Sequence, residues 1–264
     1  MYSPLKLAGK YLHYYLTAAN GKGHGTHSPF VFDFITRVLN DRQHYPAYKP
    51  IEQLRRSLRR DPTELAIDDL GAGSVYKATK TRSVASIARH AAKPPKWGQL
   101  LYRVARHYSP ATMLELGTSL GLSTAYLCAG APQARLWTIE GSPGIADKAR
   151  ANLSLLGAKA NVLTGNFDAI LPGVLAEMPP VELAFIDGNH RCEPTLRYFD
   201  AILRHAASAS ALIFDDIHWS GEMETAWNTI RHDPRVYLTI DLFFVGIVFR
   251  RDDFKVRQDF IIRF

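Results

Sequence analysis

Along the second half of the chain, short unbroken apolar runs alternate with longer stretches in which apolar side chains recur every three or four positions. The runs at 112–116, 135–139, 161–164, 182–186 and 211–215 have the length and continuity of strands buried on both faces of a parallel sheet. Between them the helical period holds over 123–129, 143–156, 167–177 and 192–207, with a further helix at 221–231. This is the spacing of βα units. The end of the chain breaks the alternation: 236–240 and 243–250 read as two neighbouring strands with a tight connection, and 258–264, QDFIIRF, as one more edge strand.

The first part of the chain is different in character. Residues 2–19 place Leu5, Leu7, Tyr11, Leu12, Tyr15 and Leu16 at helical spacing, ending near Asn20 and Gly21. Such a helix is expected to pack on its own domain or on a second subunit rather than rest on a membrane. Ser28 and Pro29 open a second helix with Phe30, Phe34 and Val38 on one stripe, after a loop carrying His24 and His27. Glu52–Arg60 is a strongly basic helix candidate closed by Asp61 and Pro62, and the segment 75–83 reads as a basic loop with Lys77, Lys80 and Arg82. Pro94, Pro95 and Pro110 flank another helix at 96–108.

Composition adds boundaries rather than detail. With 264 residues, 47% hydrophobic and 22% charged, the chain suits one large domain with an appendage. Cys128 and Cys192 supply neither a disulfide framework nor a CxxC metal site. No run is long enough to span a bilayer and no basic-then-apolar leader opens the chain, so the expected location is the cytoplasm. The net charge of +7 is unevenly spread: residues 1–110 hold 18 Lys and Arg against 7 acidic residues, whereas 111–264 hold 14 against 18. That asymmetry suits either a solvated basic face or a surface for an anionic partner such as nucleic acid.

The chemistry centres on TMLELGTSLGLSTAYL, Thr112–Leu127. A buried strand ends in Glu115, Gly117 and Gly121 let the backbone bend and a ligand approach, and Ser123 and Thr124 can cap the next helix. Unpaired N–H groups then face a bound molecule. The spacing Gly117, Ser119, Gly121 departs from the dinucleotide pattern GxGxxG, and Glu115 would oppose a pyrophosphate while suiting a cationic amino acid. Glu140, 23 residues after Gly117, ends the second strand where a carboxylate can accept both ribose hydroxyls.

At these residues the chain resembles class I S-adenosylmethionine (SAM)-dependent methyltransferases, and within them the catechol and caffeoyl-CoA type O-methyltransferases. The resemblance covers about 95–250. It implies a Rossmann-like, seven-stranded, mostly parallel α/β sheet with an antiparallel C-terminal hairpin and a helical N-terminal appendage. The implied boundaries are 1–94 for the basic appendage and 95–264 for the methyltransferase domain. GQLL in the helix 96–108 resembles the helix that covers the cofactor in that family, and adenine contacts are expected at Asn166 and Phe167, beside Asp168. The glycine-rich IDDLGAGS at 67–74 imitates the first motif without its flanking strands and is read as a decoy.

Asp187 ends the fourth strand, and Asp215 with Asp216 end the fifth, so their carboxylates are expected to converge with the cofactor in one crevice. Three adjacent carboxylates repel unless a cation neutralises them, and hard oxygen ligands suit Mg²⁺, Mn²⁺ or Ca²⁺. Catechol-type enzymes carry Asp and then Asp-Asn at this 28-residue interval; here Asp216 replaces the Asn, as in macrocin-type relatives. His190 stands where that family has a lysine base and is the expected proton acceptor, with Asp187 as its neighbour. His218 and Trp219 are second candidates, as a proton shuttle and a substrate wall.

The resulting expectation is a SAM-dependent O-methyltransferase, aided by a divalent metal, acting on a hydroxyl of a small molecule or sugar. The cofactor would contact Glu115, Gly117, Ser119, Gly121, Ser123, Glu140, Asn166, Phe167 and Asp187. The alternatives are a tRNA or RNA nucleoside methyltransferase and a SAM-binding protein without catalysis. The aromatic first helix suits a homodimer.

Overall fold

The computed structural model describes residues 1–23, 27–67, 81–91 and 93–264. His24, most of IDDLGAGS, and Lys77 and Lys80 of the basic loop therefore lie outside the described residues. The chain folds as two compact units, one formed by Met1–Asp41 and Pro180–Phe264, the other by Arg42–Pro179.

The first unit begins with α1 (Pro4–Thr17), whose Ser3 hydroxyl caps the Lys6 N–H. Its inner face is aromatic: Tyr11 meets Phe243 edge-on at 5.1 Å, and Tyr14, 6% exposed, donates its hydroxyl to the Ile262 carbonyl. The helix thus packs on its own unit. α2 (Pro29–Phe34) runs into a π-helical turn, Ile35–Leu39, with Phe30 and Phe34 set edge-on against Phe249.

The second unit holds α3 (Tyr48–Leu58), β1 (Glu64–Ala66), β2 (Thr81–Ser83), α4 (Val84–His90) and α5 (Pro95–Tyr108). It continues with β3 (Thr112–Leu116), α6 (Leu122–Gly130), β4 (Arg135–Glu140), α7 (Pro143–Leu155), β5 (Asn161–Thr164) and α8 (Phe167–Glu177). Strand β4 lies between β3 and β5, all parallel, with Leu114 opposite Trp137 and Ile139 opposite Leu163. Helices α5 and α6 approach closely because glycine stands at both contact points. A Cβ on Gly98 would lie 2.4 Å from the Tyr126 ring, and one on Gly130 would lie 2.5 Å from the Tyr102 carbonyl oxygen.

Back in the first unit, β6 (Val181–Ile186), α9 (Cys192–His205) and β7 (Ala206–Asp215) form a βαβ step with parallel strands. Then come α10 (Gly221–His232), β8 (Leu238–Asp241), β9 (Val245–Arg251) and β10 (Gln258–Ile261). β9 runs antiparallel between β7 and β8, and β10 joins β8 in parallel as the anticipated edge strand. The architecture is the mixed α/β, Rossmann-like one, mostly parallel with an antiparallel C-terminal pair.

Local expectations differ in three places. Residues 81–83, expected in the basic loop, form β2, held by cross-strand bonds to β1 that no local pattern announces. The basic helix starts at Tyr48, ahead of the charged run, because Tyr48 and Ile51 belong to the core of this unit. Ser123 and Thr124 do not cap α6. The helix starts at Leu122 behind Gly121 (φ +81°), and Thr124 lies in the first turn with its hydroxyl turned to Glu115.

Candidate active site

In the second unit the glycine turn follows β3 with Gly117 at φ +100° and Ser119 at +47°, left-handed values that glycine tolerates and serine rarely adopts. The turn is tied to the next strand. Glu140, half-buried at the end of β4, accepts the Ser119 N–H at 2.8 Å with one oxygen and the Ser142 N–H at 3.0 Å with the other. The N-terminus of α6 receives no side-chain cap, so its first N–H groups are offered to a ligand rather than to the chain. A carboxylate beside an uncapped helix start fits a ligand that brings both hydroxyl donors and a carboxylate, the two polar ends of SAM.

Glu115 works from inside. It is fully buried, and its Oε2 accepts the hydroxyls of Thr124 (2.5 Å) and Thr138 (2.7 Å). Because Thr138 donates to Glu115, it must accept from Thr118, 2.6 Å away. The carboxylate thus braces the turn, the start of α6 and strand β4 together. Gly121 likewise faces packing: a Cβ there would come 3.2 Å from Leu153 of α7. Gly117, Ser119 and Ser123 are half-buried along the turn. At the end of β5, Asn166 is exposed and caps α8 through its Oδ1 to the Asp168 N–H at 2.8 Å, and Phe167 is half-buried.

In the first unit the parallel register sets Phe185 opposite Ile213 and Ile186 opposite Phe214, the same 28-residue offset that separates Asp187 from Asp215. The two strand ends are therefore level. Asp187 lies 3.5 Å from the His190 Nε2, each about one-fifth exposed, and the His190 ring sits 5.7 Å from the Trp219 ring. These three sequence-designated residues do come together. Between Asp187 and His190, Asn189 takes a left-handed φ of +61° and donates its amide to the Tyr198 hydroxyl, 3.1 Å away.

The metal expectation does not find its ligand set. Among the described residues no group of three or more His, Cys, Asp or Glu side chains is placed to hold an ion. Asp215 is the last residue of β7 and Asp216 the first beyond it. Asp215 is 1% exposed, while Asp216 lies beyond the strand at φ +55° with its N–H on the Phe244 carbonyl. Exposed His27 takes part in no such group either.

His218 is engaged at both ring nitrogens, by Glu224 at 3.1 Å and Asp241 at 2.8 Å, and stacks on Phe243. Burial opposes its charge, but the two carboxylates outweigh burial and hold its pKa above the ordinary value. Asp241 also accepts the Trp227 indole N–H, and Glu224 takes the Tyr2 hydroxyl and the Lys10 ammonium. Tyr2 donates its N–H to the Trp219 carbonyl at 3.0 Å, so the start of the chain holds the Trp219 turn. Sequence reasoning had no access to Tyr2, Glu224 or Asp241, because their partners lie more than 200 positions away or on other elements of the unit.

The strand-end acid, the bent glycine turn and the uncapped helix start are arranged as they would be in a class I SAM-dependent methyltransferase domain. Residues 114–217 match the family described as a methyltransferase domain. The catechol O-methyltransferase of Mycobacterium tuberculosis is 32% identical over 123 residues, covering 46% of this chain and 54% of that protein. That of Niastella koreensis is 29% identical over 133 residues, covering 49% and 59%. The chain thus spans little more than half the length of the curated relatives it matches. A solved O-methyltransferase from Bacillus cereus in complex with SAH shares the fold with a TM-score of 0.55 at 20% identity, over 84% of this chain and 97% of that one.

Proposed function

We propose that the protein is a SAM-dependent O-methyltransferase acting in the cytoplasm on a hydroxyl of a small molecule, sugars included. Residues 95–264 form the methyltransferase domain and 1–94 a helical cap that shapes acceptor choice. The observation that carries this reading is Glu140, whose two oxygens hold the glycine turn at Ser119 and the following turn at Ser142. Catechol O-methyltransferase relatives support a hydroxyl acceptor.

When bound, SAM supplies a methyl group already activated on a sulfonium, so the protein's share is orientation and removal of one proton. Glu140 and the first N–H groups of α6 bind the cofactor, with Gly117, Ser119, Gly121 and Ser123 shaping the turn and Asn166 and Phe167 completing the contacts of this unit. His190, oriented by Asp187, takes the acceptor's hydroxyl proton. Trp219 forms a wall beside it. No step is routed through a metal, because Asp187, Asp215 and Asp216 do not form a ligand set. The exposed row Leu5, Leu12 and Leu16 on α1 supports a homodimer.

The test is calorimetric titration with SAM followed by methyl transfer to catechol, with EDTA and with added Mg²⁺. Binding together with O-methylation upholds the reading. Transfer that stops in EDTA and returns with Mg²⁺ would restore the metal to the mechanism; absence of SAM binding overturns the assignment.

A further inference from the structure

Helix α3 ends in a cleft of about 600 Å³ lined by Gln53, Arg56, Ser57, Arg60 and Asp61. Gln53, Arg56 and Ser57 recur at the three- and four-residue intervals of one face of α3, and Arg60, just past its C-cap Arg59, lines the same cleft. All four are exposed. The acids of this segment are already committed. Glu52 holds Arg55 at 3.0 Å and receives the Tyr126 hydroxyl. Asp61 takes the Lys148 ammonium on one oxygen (2.7 Å) and the Thr63 N–H on the other (2.9 Å).

Those contacts keep Asp61 ionised, with its pKa lowered to about 2, chiefly by the Lys148 and Thr63 hydrogen bonds. They also spend its charge before it reaches the cleft. Arg56 and Arg60 meet no carboxylate among the described residues, and Lys49 and Arg59 stand exposed on the same helix or at its end. Among the described residues the cleft therefore carries positive charge with no carboxylate paired to Arg56 or Arg60, in the planar, forked form that pairs with phosphate oxygens two at a time. Among the described residues from 42 to 67 and from 81 to 91, no large apolar side chain is exposed.

We propose that this cleft binds the phosphate or diphosphate group of a small ligand, with Arg56 and Arg60 as the paired anchors and Gln53 and Ser57 as additional donors. The inference is independent of the methyl-transfer reading. Its elements nonetheless connect to the cofactor strand: Asp61 grips α7 through Lys148, and the Ala66 carbonyl of β1 accepts the Ser142 hydroxyl next to Glu140. A phosphorylated acceptor or effector held here would be felt at the turn that Glu140 organises.

Pyrophosphate is the probe, titrated by calorimetry into the full chain at low and at physiological salt, with a short single-stranded RNA in a parallel arm. Arg56→Ala/Arg60→Ala is compared with Lys22→Ala/Lys255→Ala, which removes the same charge from exposed positions elsewhere. Circular dichroism checks that both variants fold. The expected result is saturable pyrophosphate binding that weakens at least about tenfold in the arginine variant and changes less than about twofold in the control. Absence of binding, or equal loss in both variants, overturns the site in favour of diffuse attraction. RNA binding without pyrophosphate binding overturns it in favour of an extended basic face.

Discussion

The sharpest test of the cofactor turn is Glu140→Gln. The glutamate uses both oxygens on backbone donors, Ser119 at 2.8 Å and Ser142 at 3.0 Å. Glutamine has the same shape but only one oxygen, so its NH₂ must oppose one of these two N–H groups. Hydrogen bonds to a charged group contribute about 1.5–3 kcal/mol each. Ser119 holds a left-handed φ of +47°, so loss of its bond releases the turn toward commoner conformations. Binding must then reorder it, and the lost carboxylate also serves the ribose less well. We expect SAM affinity to fall about ten- to hundredfold by calorimetry, since each 1.4 kcal/mol is about a factor of ten. Ser119→Ala should stay within about twofold of wild type, because the donor is the backbone N–H and not the hydroxyl. Near-wild-type affinity in Glu140→Gln, or an equal loss in Ser119→Ala, would refute the argument.

Three further outcomes are expected. His190→Ala should lower kcat by about 10²–10⁴ with SAM affinity unchanged, and an unaffected kcat would remove His190 from the chemistry. Gly98→Ala pushes a methyl to within 2.4 Å of the Tyr126 ring, itself wedged against Tyr48, and should cost about 1–3 kcal/mol in denaturant unfolding; an unchanged midpoint would show that the α5–α6 contact yields freely. Asp61 titrates lower in the folded chain than the ordinary 3.8, so its contribution to stability is present above pH 3.8 and is lost as pH falls toward about 2. Asp61→Asn should accordingly flatten the loss of stability between pH 5 and pH 2 relative to wild type, and parallel acid-unfolding curves would refute that.

Much of the fold was legible because period and punctuation agree locally. The runs Thr112–Leu116 and Asn161–Thr164 are strands where the apolar pattern placed them, and α8 spans Phe167–Glu177 as its period required. The short pair β1–β2 was not legible, since three-residue strands are defined by each other rather than by their own residues. The candidate site divides in the same way. Residue type and strand position marked Glu115, Glu140, Asp187 and His190 as chemically meaningful. They did not reveal which way each faces. Glu115 turns inward because Thr124 and Thr138, from the following helix and the neighbouring strand, both donate to it. His218 is fixed by Glu224 and Asp241, which approach it from α10 and β8. Asp215 and Asp216 are adjacent in the chain, but Asp215 closes β7 whereas Asp216 stands in the left-handed turn after it, a difference that residue type does not announce. The order of elements and the chemical candidates could be read along the chain, because both follow from interactions among residues a few positions apart. Each candidate's partner came from the fold, because a buried hydrogen bond or ion pair depends on groups that distant stretches of chain bring together.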